Sequence, residues 1–226
     1  VGDEVVATGM RGGYAEQVIV DAADVGHEPG SLSFEQAAGL LLVGGTAWHL
    51  LTNTGVGTGE TVLIHGAAGG VGLLAVQLAV ARGASVVGTA GPARPDQQRD
   101  DGAPPLANGP GRADRSRAEA LDTSVELVAD RSRIATIAGF GRAAELGIAA
   151  LTGADGGQAI RDAARPDLLA LARDGMLEVI VDRAFPLDEA AETLRRRLAP
   201  LAALRAVRRA RVCGSLSIEG IVDTSG

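Results

Sequence analysis

The sequence predicts a doubly wound, mostly parallel α/β sheet, and three observations carry that prediction. Short apolar runs at Thr61–His65, 84–88 and 134–138 have the length and content of strands buried on both faces. Segments with helical periodicity alternate with them, the pattern of parallel strands joined by crossover helices. Between the first strand and its helix lies the run Gly66-Ala67-Ala68-Gly69-Gly70-Val71-Gly72, whose glycines allow a tight strand-to-helix turn.

Each element has its own signal. Residues 14–20 alternate and end in β-branched side chains, which predicts a strand entered from a turn at Gly12 and Gly13. Ser33 is placed to cap a helix with Glu35 and Gln36 in its first turn, and Phe34, Ala37, Ala38, Leu41 and Leu42 recur at helical spacing as far as Val43. Gly44 and Gly45 predict an interruption, followed by a second helical stretch over 46–54 and a glycine-rich turn from Gly55 to Gly59. After the strand Thr61–His65 and the glycine run, Leu73, Leu74, Val76 and Leu78 carry a helix to Arg82 and Gly83, and the strand 84–88 completes a strand–helix–strand unit.

Further along, 94–101 reads as a short helix, and Pro104, Pro105, Asn108, Gly109, Pro110 and Gly111 mark a loop. The strand 134–138 is the third of the buried type. A helix over 168–173 stops at Gly175, a strand follows at 177–181, and a helix starting at Asp188 runs through Leu194. The chain then becomes rich in arginine, at Arg195 to Arg197, Arg205, Arg208, Arg209 and Arg211. Such a run is read as a solvated face or frayed terminus, with an amphipathic helix for an acidic partner as the alternative.

Composition narrows the function. The chain has 226 residues, 46% of them hydrophobic, enough to bury a core, and no apolar run long enough to span a bilayer, so no membrane role is expected. A net charge of −7 and few aromatic residues argue against a nucleic-acid partner. Cys213 is the single cysteine and His27, His49 and His65 lack ligand spacing, so no metal site is expected. One cysteine and no recognisable export signal point to the cytoplasm.

A glycine-rich turn that opens a helix lets the backbone approach a pyrophosphate, whose charge is favoured by free N–H groups and the helix dipole. Residues Ala67, Ala68, Gly69, Gly70, Val71 and Gly72 form such a turn, with Ala67 at the place of the first glycine of the usual G-x-G-x-x-G pattern. A site for NAD usually has Asp or Glu about 20 residues on, for the ribose 2′-hydroxyl. Here the second strand runs into Gly88-Thr89-Ala90-Gly91-Pro92, no acid occurs before Asp96, and Arg94 stands where a guanidinium pairs with a 2′-phosphate. NADP(H) is therefore the expected cofactor.

Three stretches together resemble the medium-chain dehydrogenase/reductase family, in its zinc-independent quinone oxidoreductase branch. They are Glu35-Gln36-Ala37-Ala38, Gly45-Thr46-Ala47-Trp48, and the run from Gly59 through the glycine turn to Gly72. Gly13-Tyr14-Ala15-Glu16 is similar to the end of that family's GroES-like barrel, and Phe185-Pro186-Leu187-Asp188 to its late helix. The resemblance implies three segments: a barrel remnant over 1–30, an NADP-binding Rossmann domain over 31–182, and a C-terminal helix with an atypical tail over 183–226. It places Thr46 beside the nicotinamide carboxamide, Ala68 to Val71 under the pyrophosphate, Thr89 and Ala90 near the adenosine, Arg94 on the 2′-phosphate, and Ala138, Gly139 and Phe140 along the nicotinamide pocket. It also implies hydride transfer to a small electrophile (a quinone, enone or carbonyl) without zinc, and a homodimer.

The sequence departs from that pattern in three places. It starts near the end of the barrel, it passes from Ala120-Leu121-Asp122-Thr123 straight into Ser124-Val125-Glu126-Leu127 where the family has a strand and a turn, and it ends in the arginine-rich tail. These departures leave a catalytically silent coenzyme-binding or dimerisation module as the alternative to an active reductase. No catalytic residue is assigned; Tyr14 carries a phenol, but a tyrosine at a strand start is expected to pack.

Overall fold

A computed structural model of the chain describes residues 2–28, 30–89, 117–154, 156–181 and 184–194. The expected helix 94–101, the loop 103–111, the arginine-rich tail and the residues Ala90 and Arg94 lie outside the described residues.

The chain opens with an antiparallel pair, β1 (Val5–Ala7) and β2 (Val25–His27), in which Val6 stands opposite Gly26. Residues 14–20 are not a strand; Tyr14 is 69% and Ile19 fully exposed, so the expected packing of Tyr14 is corrected. Alternation alone does not hold a strand without a neighbouring edge to pair with. Arg165 ties this segment down through Asp24 at 3.1 Å.

Helix α1 (Phe34–Asn53) runs without a break. Ser33 and Gln36 form a capping box: the Gln36 N–H donates to Ser33 Oγ and the Ser33 N–H to Gln36 Oε1. The expected interruption at Gly44 and Gly45 is corrected. Both lie buried within the helix, and their missing side chains let other helices come close. A β-carbon on Gly44 would stand 3.2 Å from Leu168 Cδ2, and one on Gly45 3.3 Å from Arg161 Cβ.

The central unit matches expectation. Strand β3 (Thr61–His65) leads through the turn into helix α2 (Gly70–Ala81), and β4 (Ser85–Thr89) returns parallel to β3, in register from Thr61 opposite Ser85 to His65 opposite Thr89. Gly83, at φ +82°, reverses the chain after α2. Strand β3 is half-buried rather than enclosed on both faces.

Helix α3 (Arg117–Leu127) occupies a stretch for which the sequence predicts no element. Beyond it lie β5 (Ala135–Thr136), α4 (Phe140–Leu146), β6 (Ala149–Ala150), α5 (Gly157–Ala163) and α6 (Arg165–Arg173). The expected strand 134–138 shrinks to the two residues of β5, parallel to β6. Residues 177–181 form no strand ladder. Instead the Gln77 side chain acts as a strand edge: Glu178 N–H donates to Gln77 Oε1 at 2.7 Å, and Gln77 Nε2 donates to Glu178 O at 3.0 Å. A 3₁₀ turn at Leu187–Glu189 continues as helix from 190 to 194.

The main core joins α1, α2 and α6 with the extended segment after α6, through Leu40, Leu78, Leu168, Leu177 and Val76, all essentially without exposure. Each such side chain contributes about 1.5–3 kcal/mol by leaving water. A smaller core of Leu121, Ile134, Ala143 and Ile148 holds α3, β5, α4 and β6 together. The parallel pairs β3–β4 and β5–β6 make the fold α/β. Among the described residues no helix is long and apolar enough to cross a membrane.

Candidate functional site

The turn between β3 and α2 is built by two glycines with separate tasks. Gly66, at φ +70°, lets the chain leave the strand, and its carbonyl accepts the Gly69 N–H at 2.9 Å. Gly72 lets α2 start directly on top of the turn: a β-carbon there would stand 2.1 Å from Gly66 O and 2.7 Å from Ala67 Cα. Ala67 N–H donates to Thr89 O at 2.8 Å, which extends the β3–β4 pairing into the turn. Ala67 and Ala68 are buried, whereas Gly69, Gly70 and Val71 are half-buried and face outward enough to be reached.

The start of α2 carries no competing group. Its N-cap, Gly69, has no side chain to cap the helix, and the first turn holds no acid. The first backbone bond into the helix is Leu73 N–H to Gly69 O at 2.8 Å, so the N–H groups of Gly70, Val71 and Gly72 have no acceptor in the helix. Three N–H groups without a helix acceptor, those of Gly70 and Val71 on partly exposed residues, at the positive end of a twelve-residue helix fit an anion such as a pyrophosphate.

Beneath the turn sits His65, the last residue of β3. Its Nδ1 is 3.0 Å from Thr89 Oγ1 and its Nε2 is 3.1 Å from Ser124 Oγ on α3. Ser124 donates its own proton to Ala120 O at 3.0 Å, so its oxygen accepts the His65 Nε2–H, and Nδ1 accepts the Thr89 hydroxyl proton. The Ser124 bond thus selects the tautomer of the neutral imidazole, and burial favours that neutral form, holding the His65 pKa below the ordinary histidine value.

The other expected positions are placed as follows. Thr46 is 4% exposed in α1, and its hydroxyl donates to Leu42 O at 2.8 Å within its own helix. Ala138 and Gly139 follow β5: Ala138 N–H donates to Thr136 Oγ1 at 3.1 Å, Gly139 starts α4 at φ +63°, and Phe140 is 47% exposed. The structure thus brings the turn residues 67–72 together with Thr89 and His65. Among the described residues no hydrogen bond joins this group to Thr46 or to 138–140.

Sequence reasoning misses the part played by His65 and Ser124. From the sequence His65 bears only on metal ligation, and Ser124 lies 59 residues away, a distance over which no spacing rule operates. Among the described residues no group of three or more His, Cys, Asp or Glu side chains could hold a metal ion.

Comparison with known proteins bears on the same stretch of chain. No family model matches. A quinone oxidoreductase of Pseudomonas aeruginosa is 46% identical over 91 residues, which are 39% of this chain and 28% of that protein. The polyketide synthase GfsB of Streptomyces halstedii is 44% identical over 100 residues, 44% of this chain and 2% of that protein. The chain therefore spans less than a third of the length of either of these curated relatives. Among solved structures, the quinone oxidoreductase of Thermus thermophilus, determined also in complex with NADPH, superposes with a TM-score of 0.60 at 26% identity, over 88% of this chain and 73% of that one. The strand–turn–helix unit and its flanks are thus similar in sequence to quinone oxidoreductases, and the fold is similar to a solved structure of that group.

Proposed function

We propose that the chain is an NADPH-dependent oxidoreductase that passes a hydride to a quinone, or to an activated alkene or carbonyl, without zinc. The observation that carries this reading is the start of α2: three free N–H groups, no acid, and a glycine that brings the helix down onto the turn. When bound, the dinucleotide supplies the hydride; the rest is the work of the protein. Gly70, Val71 and Gly72 hold the pyrophosphate by their N–H groups, Ala67 and Ala68 form its floor, and Thr89 and Ala90 border the adenosine.

In this reading Arg94 pairs with the 2′-phosphate, the feature that separates NADPH from NADH. Thr46 and the stretch Ala138, Gly139 and Phe140 border the nicotinamide. Thr46 offers only a lone pair while its proton stays on Leu42 O. The reading also takes β1 and β2 as part of a GroES-like barrel over 1–30, residues 31–182 as a doubly wound coenzyme domain and 183–226 as a C-terminal segment, in a cytoplasmic homodimer.

The test is a fluorescence titration with NADPH and with NADH, repeated on Arg94→Ala. Tighter binding of NADPH, lost in the variant while NADH binding stays the same, supports the assignment; turnover of NADPH with a simple quinone extends it to catalysis. A folded chain that binds neither nucleotide refutes it.

A further inference from the structure

A partly buried histidine with both ring nitrogens bonded to hydroxyls is constrained in its geometry, and here the constraint acts at a junction. His65 is the residue immediately before Gly66, whose left-handed backbone starts the turn. Its ring links the end of β4, through Thr89, to α3, through Ser124. Thr89 is held a second time, since its carbonyl accepts the Ala67 N–H. The side chain of His65, the turn and the end of β4 therefore form one closed loop of bonds, and the free N–H groups of Gly70, Val71 and Gly72 stand on it.

We propose that neutral His65 is a positioning residue for coenzyme binding, fixing the spacing between the glycine turn and Thr89, and that proton uptake by its ring loosens the coenzyme in acid. The inference rests on the coenzyme reading given above. A neutral ring donates at Nε2, as the Ser124 hydroxyl, its own proton committed to Ala120 O, requires, and accepts the Thr89 hydroxyl proton at Nδ1. A protonated ring donates at both nitrogens, so Thr89 must turn its own proton away from the ring and the Thr89-to-Nδ1 hydrogen bond is reversed.

Among the described residues no nearby charge offsets this. Beside His65, β3 and β4 carry no titratable side chain near the turn. On α3 the acids are Glu119, Asp122 and Glu126, of which Asp122 is engaged by Arg142 at 2.5 Å. None of them shifts the His65 ring, which burial alone pushes down. The neutral form accordingly persists below the ordinary histidine range and gives way only in acid.

The experiment measures the NADPH dissociation constant between about pH 5 and 7.5 for the parent, His65→Gln and His65→Leu, with circular dichroism to confirm that each is folded. Glutamine can accept at its oxygen and donate at its nitrogen but does not titrate. It is expected to keep near-parental affinity at neutral pH and to lose less affinity than the parent in acid; the difference between the two removes the titration of the 2′-phosphate, common to both. Leucine is expected to bind roughly tenfold more weakly at neutral pH, the scale of one lost hydrogen bond. If the parent binds NADPH and His65→Leu binds it as well, or His65→Gln shows the parental acid loss, the positioning role of His65 is overturned while the coenzyme reading stands. Absence of NADPH binding to the folded parent overturns both.

Discussion

Replacing Gly72 by alanine tests the packing on which the site depends. The new β-carbon would meet backbone on one side only, but at three atoms: Gly66 O at 2.1 Å, Ala67 Cα at 2.7 Å and Gly66 C at 2.8 Å. None of these is the end of a flexible side chain, so relief requires α2 to rise from the turn by roughly 1 Å, the shortfall from the closest real contacts. Overpacking of this kind costs about 1–3 kcal/mol. A clash with three backbone atoms belongs in the upper part of that range, so the up to about 1 kcal/mol that alanine returns through helix propensity leaves a net loss of about 1–2 kcal/mol. For a chain of this size that lowers the melting temperature by roughly 2–8 °C. The same rise moves the N–H groups of Gly70 and Val71 off the pyrophosphate, and losing one hydrogen bond to a charged group weakens NADPH binding about tenfold or more. Gly141→Ala is the control. It sits in α4 with nothing within 4 Å of a β-carbon, and it should stabilise by about 0.5–1 kcal/mol without touching affinity. Differential scanning fluorimetry and the NADPH titration read both variants. A Gly72→Ala protein that melts with the parent and binds as tightly would show that α2 does not rest on the Gly66–Ala67 backbone, and the pyrophosphate assignment would fall with it.

Arg165→Ala should detach the first segment of the chain. The guanidinium is mostly buried and bonds Asp24 at 3.1 Å, Asp162 at 2.5 Å and Ala23 O at 3.3 Å. Since both carboxylates are partly exposed, the cost is discounted to about 1–2 kcal/mol. Limited proteolysis should cut within residues 8–21 sooner than in the parent, and an unchanged cleavage rate would refute the tether. Acid should destabilise the fold through His49 as well as His65. Burial first, and then the Arg161 charge, hold the His49 pKa below the ordinary value. The unfolded chain therefore takes up its proton first, so this contribution is complete above about pH 6.5 and is lost as pH falls. Melting temperatures measured down to about pH 5 should drop less steeply in His49→Gln than in the parent; equal slopes would count against the assignment.

The unit β3–turn–α2–β4 is legible in the sequence because three independent signals coincide there: an apolar strand, glycines with nothing to pack, and a helical period. Elsewhere a signal is real but its cause is different. Gly44 and Gly45 look like helix breakers, yet α1 continues through them, because Leu168 and Arg161 pack closely over them and this tertiary packing outweighs the roughly 1 kcal/mol that each glycine costs a helix. Residues 177–181 have the apolar content of a buried strand, but at Glu178 Gln77 supplies the hydrogen bonds that a neighbouring strand would have given. A side-chain amide 101 residues away leaves no periodicity to read.

His65 shows why the chemistry of a site is harder to read than its frame. Glycine at positions 66 and 72 follows from local backbone geometry, so the turn can be recognised from neighbouring letters alone. The histidine before it matters through Thr89 and Ser124, 24 and 59 residues away; Thr89 is expected only near the adenosine, and Ser124 belongs to no motif. Its tautomer is in turn set by a third group, the Ala120 carbonyl that takes the Ser124 proton. A site assembled from hydroxyls and one imidazole carries no charge pattern, no ligand spacing and no apolar period. Only folding, by closing α3 over the ends of β3 and β4, makes those four groups neighbours and gives the ring a single tautomer.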